Sequence, residues 1–264
     1  MILFIQLLKE SVIIMEILRV DGLCKKHPTF ELENVSFKVE GGQIMGFVGR
    51  NGAGKSTTIK AMLNMVHPDA GKVSILGTDI AEDETECKRN LGVVYGEINF
   101  YPKKKLYLIK NTVKNFYCEN WDEEKYKKYI KLFSIDDSKT ADELSSGMKI
   151  KFMIAMALSH GAKLLIFDEP TSGLDPVSRD DLCQLFKSLV KSGERAIFFS
   201  THIISDIEKC ATHVTYIHNG KIKESSTVKD MIEKYSEKES GQKDTLEEII
   251  VKLERTDYND KEFD

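Results

Sequence analysis

The sequence predicts an α/β fold, in which the strands of a mixed or parallel sheet alternate with helices. Short apolar, β-branched runs alternate with helical segments along most of the chain. A glycine-rich turn stands between one such strand and the helix that follows it. Between about Thr112 and Leu158, strand signals are absent and apolar residues recur at helical spacing. That stretch is predicted to be a helical insert within the α/β core.

The strands are predicted from apolar runs that turn residues separate. Gly41-Gly42 marks a turn between the second and third runs, and Asn219-Gly220 marks a hairpin turn at the end of the core. In chain order the predicted strands are Ile17–Val20, Val35–Val39, Ile44–Val48, Val73–Leu76, Leu91–Tyr95, Leu164–Phe167, Ala196–Ser200 and Val214–His218.

The predicted helices differ in character along the chain. An apolar helical segment follows the glycine-rich turn. The aromatic residues of the insert recur at helical spacing, which favours a packing role over a ligand-binding one. From Ser236 onward the chain is charged, and this tail either docks a partner or is solvated, the second being favoured. One amphipathic patch in it predicts a short helix: Leu246, Ile249, Ile250 and Leu253.

Composition limits the class of protein. The chain has 264 residues, of which 41% are hydrophobic and 30% charged, and its net charge is -4. This near balance argues against a protein held to nucleic acid by phosphate neutralisation. The five cysteines are widely spaced without a CxxC pair, which argues against a metal cluster and fits a reducing cytosol. The most apolar long stretch, Ile150–Phe167, contains charged residues and falls short of the ~20 apolar residues that a membrane helix needs.

The first fourteen residues, Met1–Ile14, form an apolar segment that precedes the first predicted strand. The segment lacks the basic start and small-residue cleavage site of a signal peptide. Met15 follows it directly, so we expect Met15 to be the natural start and residues 1–14 to be an extension from a mis-assigned start. Mass spectrometry of the native N-terminus distinguishes a start at Met1 from a start at Met15.

One segment has the pattern of a phosphate-binding loop, G-x-x-x-x-G-K-[ST], with a predicted strand before it and a helix after it. Glycines allow backbone N–H groups to approach phosphate oxygens, and the helix N-terminus adds partial positive charge. Lys55 is predicted to pair with the β- and γ-phosphates, Ser56 to bind Mg²⁺, and Thr57 to add a second hydroxyl. The loop reads Gly49-Arg50-Asn51-Gly52-Ala53-Gly54-Lys55-Ser56.

A pair of carboxylates, Asp168 and Glu169, follows the predicted strand Leu164–Phe167. The end of that strand is expected at the same edge of the sheet as the phosphate loop. Asp168 is predicted to hold Mg²⁺, directly or through a water. Glu169 is predicted to orient and deprotonate an attacking water. The carboxylates therefore change a predicted binding site into a predicted hydrolytic site.

Taken in order, these motifs resemble those of ABC-transporter ATP-binding subunits, over about Ile17 to Tyr235. The resemblance implies a P-loop nucleotide-binding core, an antiparallel N-terminal β subdomain and a helical subdomain inserted at about residues 88–160. It also implies ATP and Mg²⁺ as cofactors. After the phosphate loop, the matching segments are Leu144-Ser145-Ser146-Gly147-Met148, which is similar to the family signature LSGGQ, then Asp168-Glu169, Ser172-Gly173-Leu174-Asp175 and His202.

The resemblance implies a site that two chains share. In this family two ATP-binding subunits pair head-to-tail, so Ser145, Ser146 and Gly147 of one chain face the phosphate loop of the other. Asp175 is implied to couple the two sites. His202 is implied to contact the γ-phosphate and to order the attacking water. A homodimer is favoured, and pairing with a related subunit stays open.

Some positions depart from the family pattern. Ser146 and Met148 stand where Gly and Gln are usual. The glutamine that normally follows the strand Leu91–Tyr95 is missing, and Glu97 is the candidate substitute, expected to meet Mg²⁺ or water. His27 is the first candidate for the aromatic residue that stacks on adenine, and Phe30 is the second.

The resemblance also implies a transmembrane permease on a separate chain, with this chain peripheral on the cytoplasmic face of the membrane. The signature, together with Asn120–Lys125 upstream, resembles a bacterial subgroup that serves exporters of drugs, antimicrobial peptides or lipid-like cargo. The implied organisation is an extension at 1–14, an ATP-binding domain at 15–235 and a charged tail at 236–264. The alternative is an ABC-type ATPase with a regulatory or non-transport role and low turnover.

Overall fold

The computed structural model describes residues 15–95, 101–236 and 244–259, which form two sheets and a set of helices. The smaller sheet is antiparallel and has the strand order β2-β1-β4-β5. Its first two strands are far longer than predicted, because they continue to a hairpin turn at Pro28-Thr29. The strands are β1 (Glu16–His27), β2 (Phe30–Glu40), β4 (Ala70–Ile75) and β5 (Thr78–Asp79).

The larger sheet has six strands in the order β10-β9-β3-β8-β7-β6. All neighbouring pairs are parallel except β10 with β9. Asn219 and Gly220 form the turn of that hairpin, both with positive φ (47° and 76°), as the Asn-Gly pair predicts. The strands are β3 (Ile44–Val48), β6 (Leu91–Tyr95), β7 (Leu164–Asp168), β8 (Ala196–Thr201), β9 (His213–His218) and β10 (Lys221–Thr227).

Helices connect the parallel strands and cover the larger sheet. Short 3₁₀ turns occur at Cys118–Asn120 and Ala141–Glu143. No helix among the described residues is both long and apolar enough to cross a membrane. The helices are α1 (Lys55–Met62), α2 (Glu84–Arg89), α3 (Leu106–Tyr117), α4 (Glu123–Leu132), α5 (Ser146–Ser159), α6 (Pro176–Val190), α7 (Ile204–Cys210), α8 (Val228–Tyr235) and α9 (Leu246–Asn259). The predicted α/β class is confirmed, with its mixed sheet, antiparallel β subdomain and helical insert.

The central strands are buried on both faces and divide their side chains between two cores. In β3, Ile44 and Val48 enter the core beneath α5 and α6, while Met45 and Phe47 enter the core shared with the smaller sheet. This alternation follows from the two-residue period of a strand. Phe37 of β2 stacks on Phe198 of β8 with ring centroids 5.5 Å apart, which joins the two sheets.

The helical insert is shorter than the range 88–160 predicted for it. That range includes β6, which pairs with β7 in the six-stranded sheet and therefore belongs to the core. The helices α3, α4 and α5 lie between β6 and β7. Trp121 and Tyr126 of the insert are buried and pack together at 5.6 Å between centroids, so these aromatic residues contribute to packing.

The C-terminal segment contains the predicted amphipathic helix, now α9. Its residues Leu246, Ile249 and Ile250 are buried against the main core. The backbone N–H of Leu246 donates to the Glu208 carboxylate of α7 at 2.6 Å. The expectation of a solvated tail is therefore wrong for α9, because its apolar face is buried against α7 and α8.

A buried histidine lies where the insert meets the sheet. His160 stacks on Tyr117 of α3 with ring centroids 3.6 Å apart, and its Nδ1 lies 3.3 Å from the Arg89 carbonyl. Burial lowers the pKa of His160 to about 4. The unfolded chain, in which this pKa returns to about 6.5, therefore binds more protons than the folded chain between these values.

This difference predicts a pH dependence of stability. As pH falls from 6.5 to 4, the wild-type free energy of unfolding should decrease more steeply than that of His160→Gln, by up to about 1.4 kcal/mol per pH unit. Urea unfolding at a series of pH values measures this slope. His67→Gln, at an exposed histidine, serves as the control and should keep the wild-type slope. Equal slopes for wild type and His160→Gln would contradict a lowered pKa of His160 in the folded chain.

Candidate functional site

The parallel register brings the ends of three central strands to one edge of the sheet. Val48 pairs with Thr201, and Asp168 pairs with Ser200. The residue that follows each strand therefore emerges at the same edge: Gly49 after β3, Glu169 after β7 and His202 after β8. These are three of the residues that the sequence predicted for the site.

The loop between β3 and α1 has the shape of an anion cradle. Gly52 and Gly54 have positive φ (83° and 113°). A side chain on Gly49 would place a Cβ 2.4 Å from the carbonyl oxygen of Ile217, so only glycine fits there. Helix α1 begins at Lys55 and directs its N-terminus at the loop.

Lys55 is buried, and its ammonium group is held at the inner side of this loop. Its Nζ donates to the Gly49 carbonyl at 2.7 Å and to the Arg50 carbonyl at 3.3 Å. The same Nζ lies 3.6 Å from Oε1 of Glu169. The lysine thus connects the phosphate loop to the end of β7.

Asp168 and Glu169 are linked by Ser200, a residue that the sequence analysis missed. The Ser200 hydroxyl donates to Oδ1 of Asp168 at 2.6 Å and accepts from the Glu169 N–H at 3.0 Å. Glu169 has a φ of 52°, a left-handed conformation that is uncommon for a non-glycine residue. The only sequence signal for Ser200 was its position as a polar residue at the end of the apolar run Ala196–Ser200. Its contacts with Asp168 and Glu169 depend on how the strands pair, which the sequence does not show.

Glu169 also contacts the candidate switch histidine. Its Oε2 lies 2.8 Å from Nδ1 of His202. The Glu169 side chain is 26% exposed and that of His202 is 48% exposed, so both are open to solvent at the mouth of the site. One carboxylate therefore faces Lys55 with one oxygen and His202 with the other.

A pocket of about 640 Å³ opens beside these residues. His27 and Phe30, the two candidates for adenine stacking, pair directly across the β1–β2 hairpin and both line it. The Phe30 ring packs against Gly54, where an added Cβ would lie 2.7 Å from Cζ. Most of the predicted phosphate-loop residues also line the pocket, namely Arg50, Asn51, Gly52, Gly54, Lys55, Ser56 and Thr57. Gly49 and Ala53 complete the loop, and Ala53 is buried.

The oxygen donors beside this pocket fit Mg²⁺. Ser56 lines the pocket, and Asp168 ends β7 with its carboxylate oriented by Ser200. Mg²⁺ prefers oxygen ligands and uses one or two carboxylates together with phosphate oxygens. Among the described residues, no cluster of three or more His, Cys, Asp or Glu forms a separate metal site. Glu97, the third predicted ligand, lies outside the described residues.

The signature residues lie at the start of α5. Ser145 is its N-cap, and its Oγ accepts from the Met148 N–H at 3.3 Å. Ser145 and Gly147 line a small pocket of about 70 Å³ with Leu174 and Ser178, and Ser146 opens the helix. Among the described residues, this pocket and the one beside the phosphate loop share no lining residue.

Asp175 caps α6 next to the signature. Its carboxylate accepts from the Ser178 hydroxyl, and from the backbone N–H groups of Val177 at 3.0 Å and Ser178 at 3.1 Å. The hydrogen bonds from Ser178 lower the pKa of Asp175 below its ordinary value. Asp175 therefore connects the signature pocket to α6, whose Ser178 lies 3.7 Å from the position of a Cβ on Gly147.

A family model and several relatives match this chain. The family model described as ABC transporter matches residues 32–172. The bacitracin transport ATP-binding protein BcrA of Bacillus licheniformis is 36% identical over 73% of this chain. The methionine import ATP-binding protein MetN 1 of Listeria monocytogenes is 32% identical over 77% of it. The chain spans less than two thirds of these relatives, 63% and 62% respectively.

A solved structure, described as the ATP binding subunit of an ABC transporter, superposes with a TM-score of 0.78. It is 28% identical in sequence, and the match covers 90% of this chain and 99% of that one. The similarity therefore extends over most of this chain.

The close packing of the β9–β10 turn between the phosphate loop and β2 predicts an effect on stability. Gly220 donates its N–H to the Ala53 carbonyl at 3.0 Å, and a Cβ on Gly220 would lie 1.8 Å from the Glu31 carbonyl oxygen. Gly220→Ala should lower the free energy of unfolding by about 2–4 kcal/mol, because a clash adds to left-handed strain.

Gly77→Ala is the matched control, since Gly77 has a similar φ of 83° but nothing within 4 Å of the added Cβ. It should cost about 1–2 kcal/mol, the left-handed strain alone. Urea titration of the two variants measures both values. Equal losses of stability would show that Gly220 does not lie against Glu31 of β2 as described.

Proposed function

The chain belongs to the ABC transporter family of ATP-binding domains, and we propose that it binds ATP with Mg²⁺ at the phosphate loop and hydrolyses it. One observation carries the proposal. Glu169 lies at the edge of the sheet between a buried lysine and a histidine, with Oε1 3.6 Å from Lys55 Nζ and Oε2 2.8 Å from His202 Nδ1. That arrangement supplies a base, a cation for phosphate charge and a group that orients water.

In the proposed mechanism, each of these side chains has a separate task. Lys55 pairs with the β- and γ-phosphates, supported by the loop N–H groups and the start of α1. Ser56 and Asp168 would hold Mg²⁺, which when bound neutralises phosphate charge. Glu169 accepts a proton from the attacking water, and His202 fixes that carboxylate and contacts the γ-phosphate. His27 stacks on adenine, with Phe30 as the second candidate.

The proposed working unit contains two chains. Ser145, Ser146 and Gly147 lie at the start of α5, in a pocket separate from that of the phosphate loop. A helix N-terminus with a serine cap suits an anion. We propose that these residues contact the γ-phosphate held by the other chain, and that Asp175 couples the two sites. An identical chain is the favoured partner, because each chain carries both halves of the site.

We further propose that hydrolysis drives a separate transmembrane permease, which places the chain at the cytoplasmic face of the membrane. The helical insert and the segment around Glu97 would transmit the opening of the dimer to that permease. The proposed cargo is drug-, peptide- or lipid-like and is exported. One relative is named for bacitracin transport and another for methionine import, so the proposed direction rests on the resemblance of the signature and Asn120–Lys125 to subunits that serve exporters. ATP-dependent transport of such compounds by vesicles that contain the co-purified permease tests the proposed export. Movement of the compound toward the side of the membrane that carries this chain would contradict it.

A second candidate function is a regulatory subunit with low turnover. The observation in its favour is Ser146 and Met148, which stand where the family has glycine and glutamine. Steady-state ATP hydrolysis by the pure chain, with and without its membrane partner, distinguishes the two. Turnover that stays at background level in both conditions would favour the regulatory function.

The proposed base predicts the behaviour of Glu169→Gln. This variant should hydrolyse ATP about 10²–10⁴-fold more slowly, because an amide cannot accept the proton, and it should still bind ATP. It should accumulate as a dimer with ATP, detected by light scattering after gel filtration. Glu82→Gln, at an exposed surface position, is the control. Wild-type turnover in Glu169→Gln would remove the base from the mechanism.

The proposed phosphate contact predicts a loss of affinity in Lys55→Ala. Nucleotide should bind roughly 10- to 100-fold more weakly, the usual effect of losing hydrogen bonds to a charged group. Titration with a fluorescent ATP analogue measures the dissociation constant. Lys60→Ala on the exposed side of α1 should bind like wild type. Undiminished affinity in Lys55→Ala would count against the phosphate loop as the site.

A further inference from the structure

The C-terminal helix α9 contacts the β-strand that supports the phosphate loop. Glu254 of α9 is 13% exposed. Its Oε1 accepts from the Tyr216 hydroxyl at 2.7 Å and lies 3.3 Å from Nδ1 of His218. On the other side of that ring, Nε2 lies 2.9 Å from the Asn219 amide nitrogen. A chain of polar contacts thus runs from α9 to the turn after β9.

That turn packs directly on the phosphate loop. The N–H of Gly220 donates to the Ala53 carbonyl at 3.0 Å. The Ile217 carbonyl lies against Gly49, where no side chain fits. A displacement of the end of β9 would therefore displace the loop, because the interface has no space to absorb it.

Glu254 also faces the phosphate loop through its second oxygen. Oε2 is buried without a hydrogen-bond partner and lies 3.9 Å from the guanidinium NH1 of Arg50. The carbonyl of Arg50 accepts from Lys55 Nζ at 3.3 Å and from the Ala53 N–H at 3.1 Å. The backbone carbonyl of Arg50 thus helps that of Gly49 to place Lys55, and the Arg50 side chain, which is 60% exposed, extends toward α9.

We propose that Glu254 is a positioning residue for the phosphate loop, so that docking of α9 sets the affinity of the site for nucleotide. The inference rests on the proposed function of that loop. Glu254 holds Arg50 from outside the loop and holds the β9 turn through Tyr216 and His218. A loop fixed before the anion arrives loses less conformational freedom on binding, which strengthens binding.

The test uses the full chain and fluorescent ADP with Mg²⁺. Glu254→Gln keeps the size of the side chain and an oxygen that accepts from Tyr216, but removes the charge opposite Arg50. It should raise the dissociation constant for ADP and the KM for ATP about 3- to 10-fold and leave kcat within about twofold. The effect should shrink at high salt, since it depends on charge. Glu247→Gln, exposed on the same helix, should match wild type.

A double-mutant cycle shows whether Glu254 acts through Arg50. Arg50→Gln alone should weaken binding, and adding Glu254→Gln should weaken it little further. Thermal unfolding of each variant checks the fold, and Glu254→Asp, which restores the charge, should recover part of the affinity.

Suppose that Lys55→Ala loses ADP binding but Glu254→Gln binds ADP as tightly as wild type or more tightly. That result would overturn the positioning role of Glu254 and leave the proposed function of the loop intact. If the losses of ADP affinity in Glu254→Gln and Arg50→Gln add up in the double variant, Glu254 does not act through Arg50. If Lys55→Ala binds ADP like wild type, the proposed function fails and this inference fails with it.

Discussion

The parallel pairing of β3, β8 and β7 is the constraint on which the candidate site depends. It aligns Val48 with Thr201 and Ser200 with Asp168, so the phosphate loop, His202 and Glu169 emerge at one edge. Both faces of these strands are buried in separate cores, which fixes the register, because a slip of one residue would exchange the side chains of the two cores. The chemistry of the site is therefore positioned by packing that lies away from it.

Glu169 shows how local strain is held by this arrangement. Its left-handed backbone is stabilised by hydrogen bonds from its N–H to the hydroxyl and the carbonyl of Ser200. The same hydroxyl orients Asp168, so one serine on β8 fixes both carboxylates. The proposed base and the proposed Mg²⁺ ligand are thus coupled through a residue that performs neither task.

The fold class and the short central strands could be predicted from the sequence, because β3 and β7 are short, mostly apolar runs. The long hairpin of β1 and β2 could not, since its outer half is polar and its pairing depends on the Pro28-Thr29 turn. Motif spacing predicted the whole phosphate loop, Gly49–Thr57, and both carboxylates. Ser200 and Glu254 escaped prediction because their contacts join residues far apart in the chain. The burial of α9 escaped for the same reason: its short apolar face gave no indication of what would cover it.

The central claim is that ATP is hydrolysed in a site built from the phosphate loop of one chain and the signature of another. Single-turnover hydrolysis of ATP, measured over a wide range of chain concentrations, tests it most directly. The rate per chain should rise with concentration and then saturate as dimers form. A rate per chain that is measurable and independent of concentration, in a chain shown to be monomeric by light scattering, would contradict it.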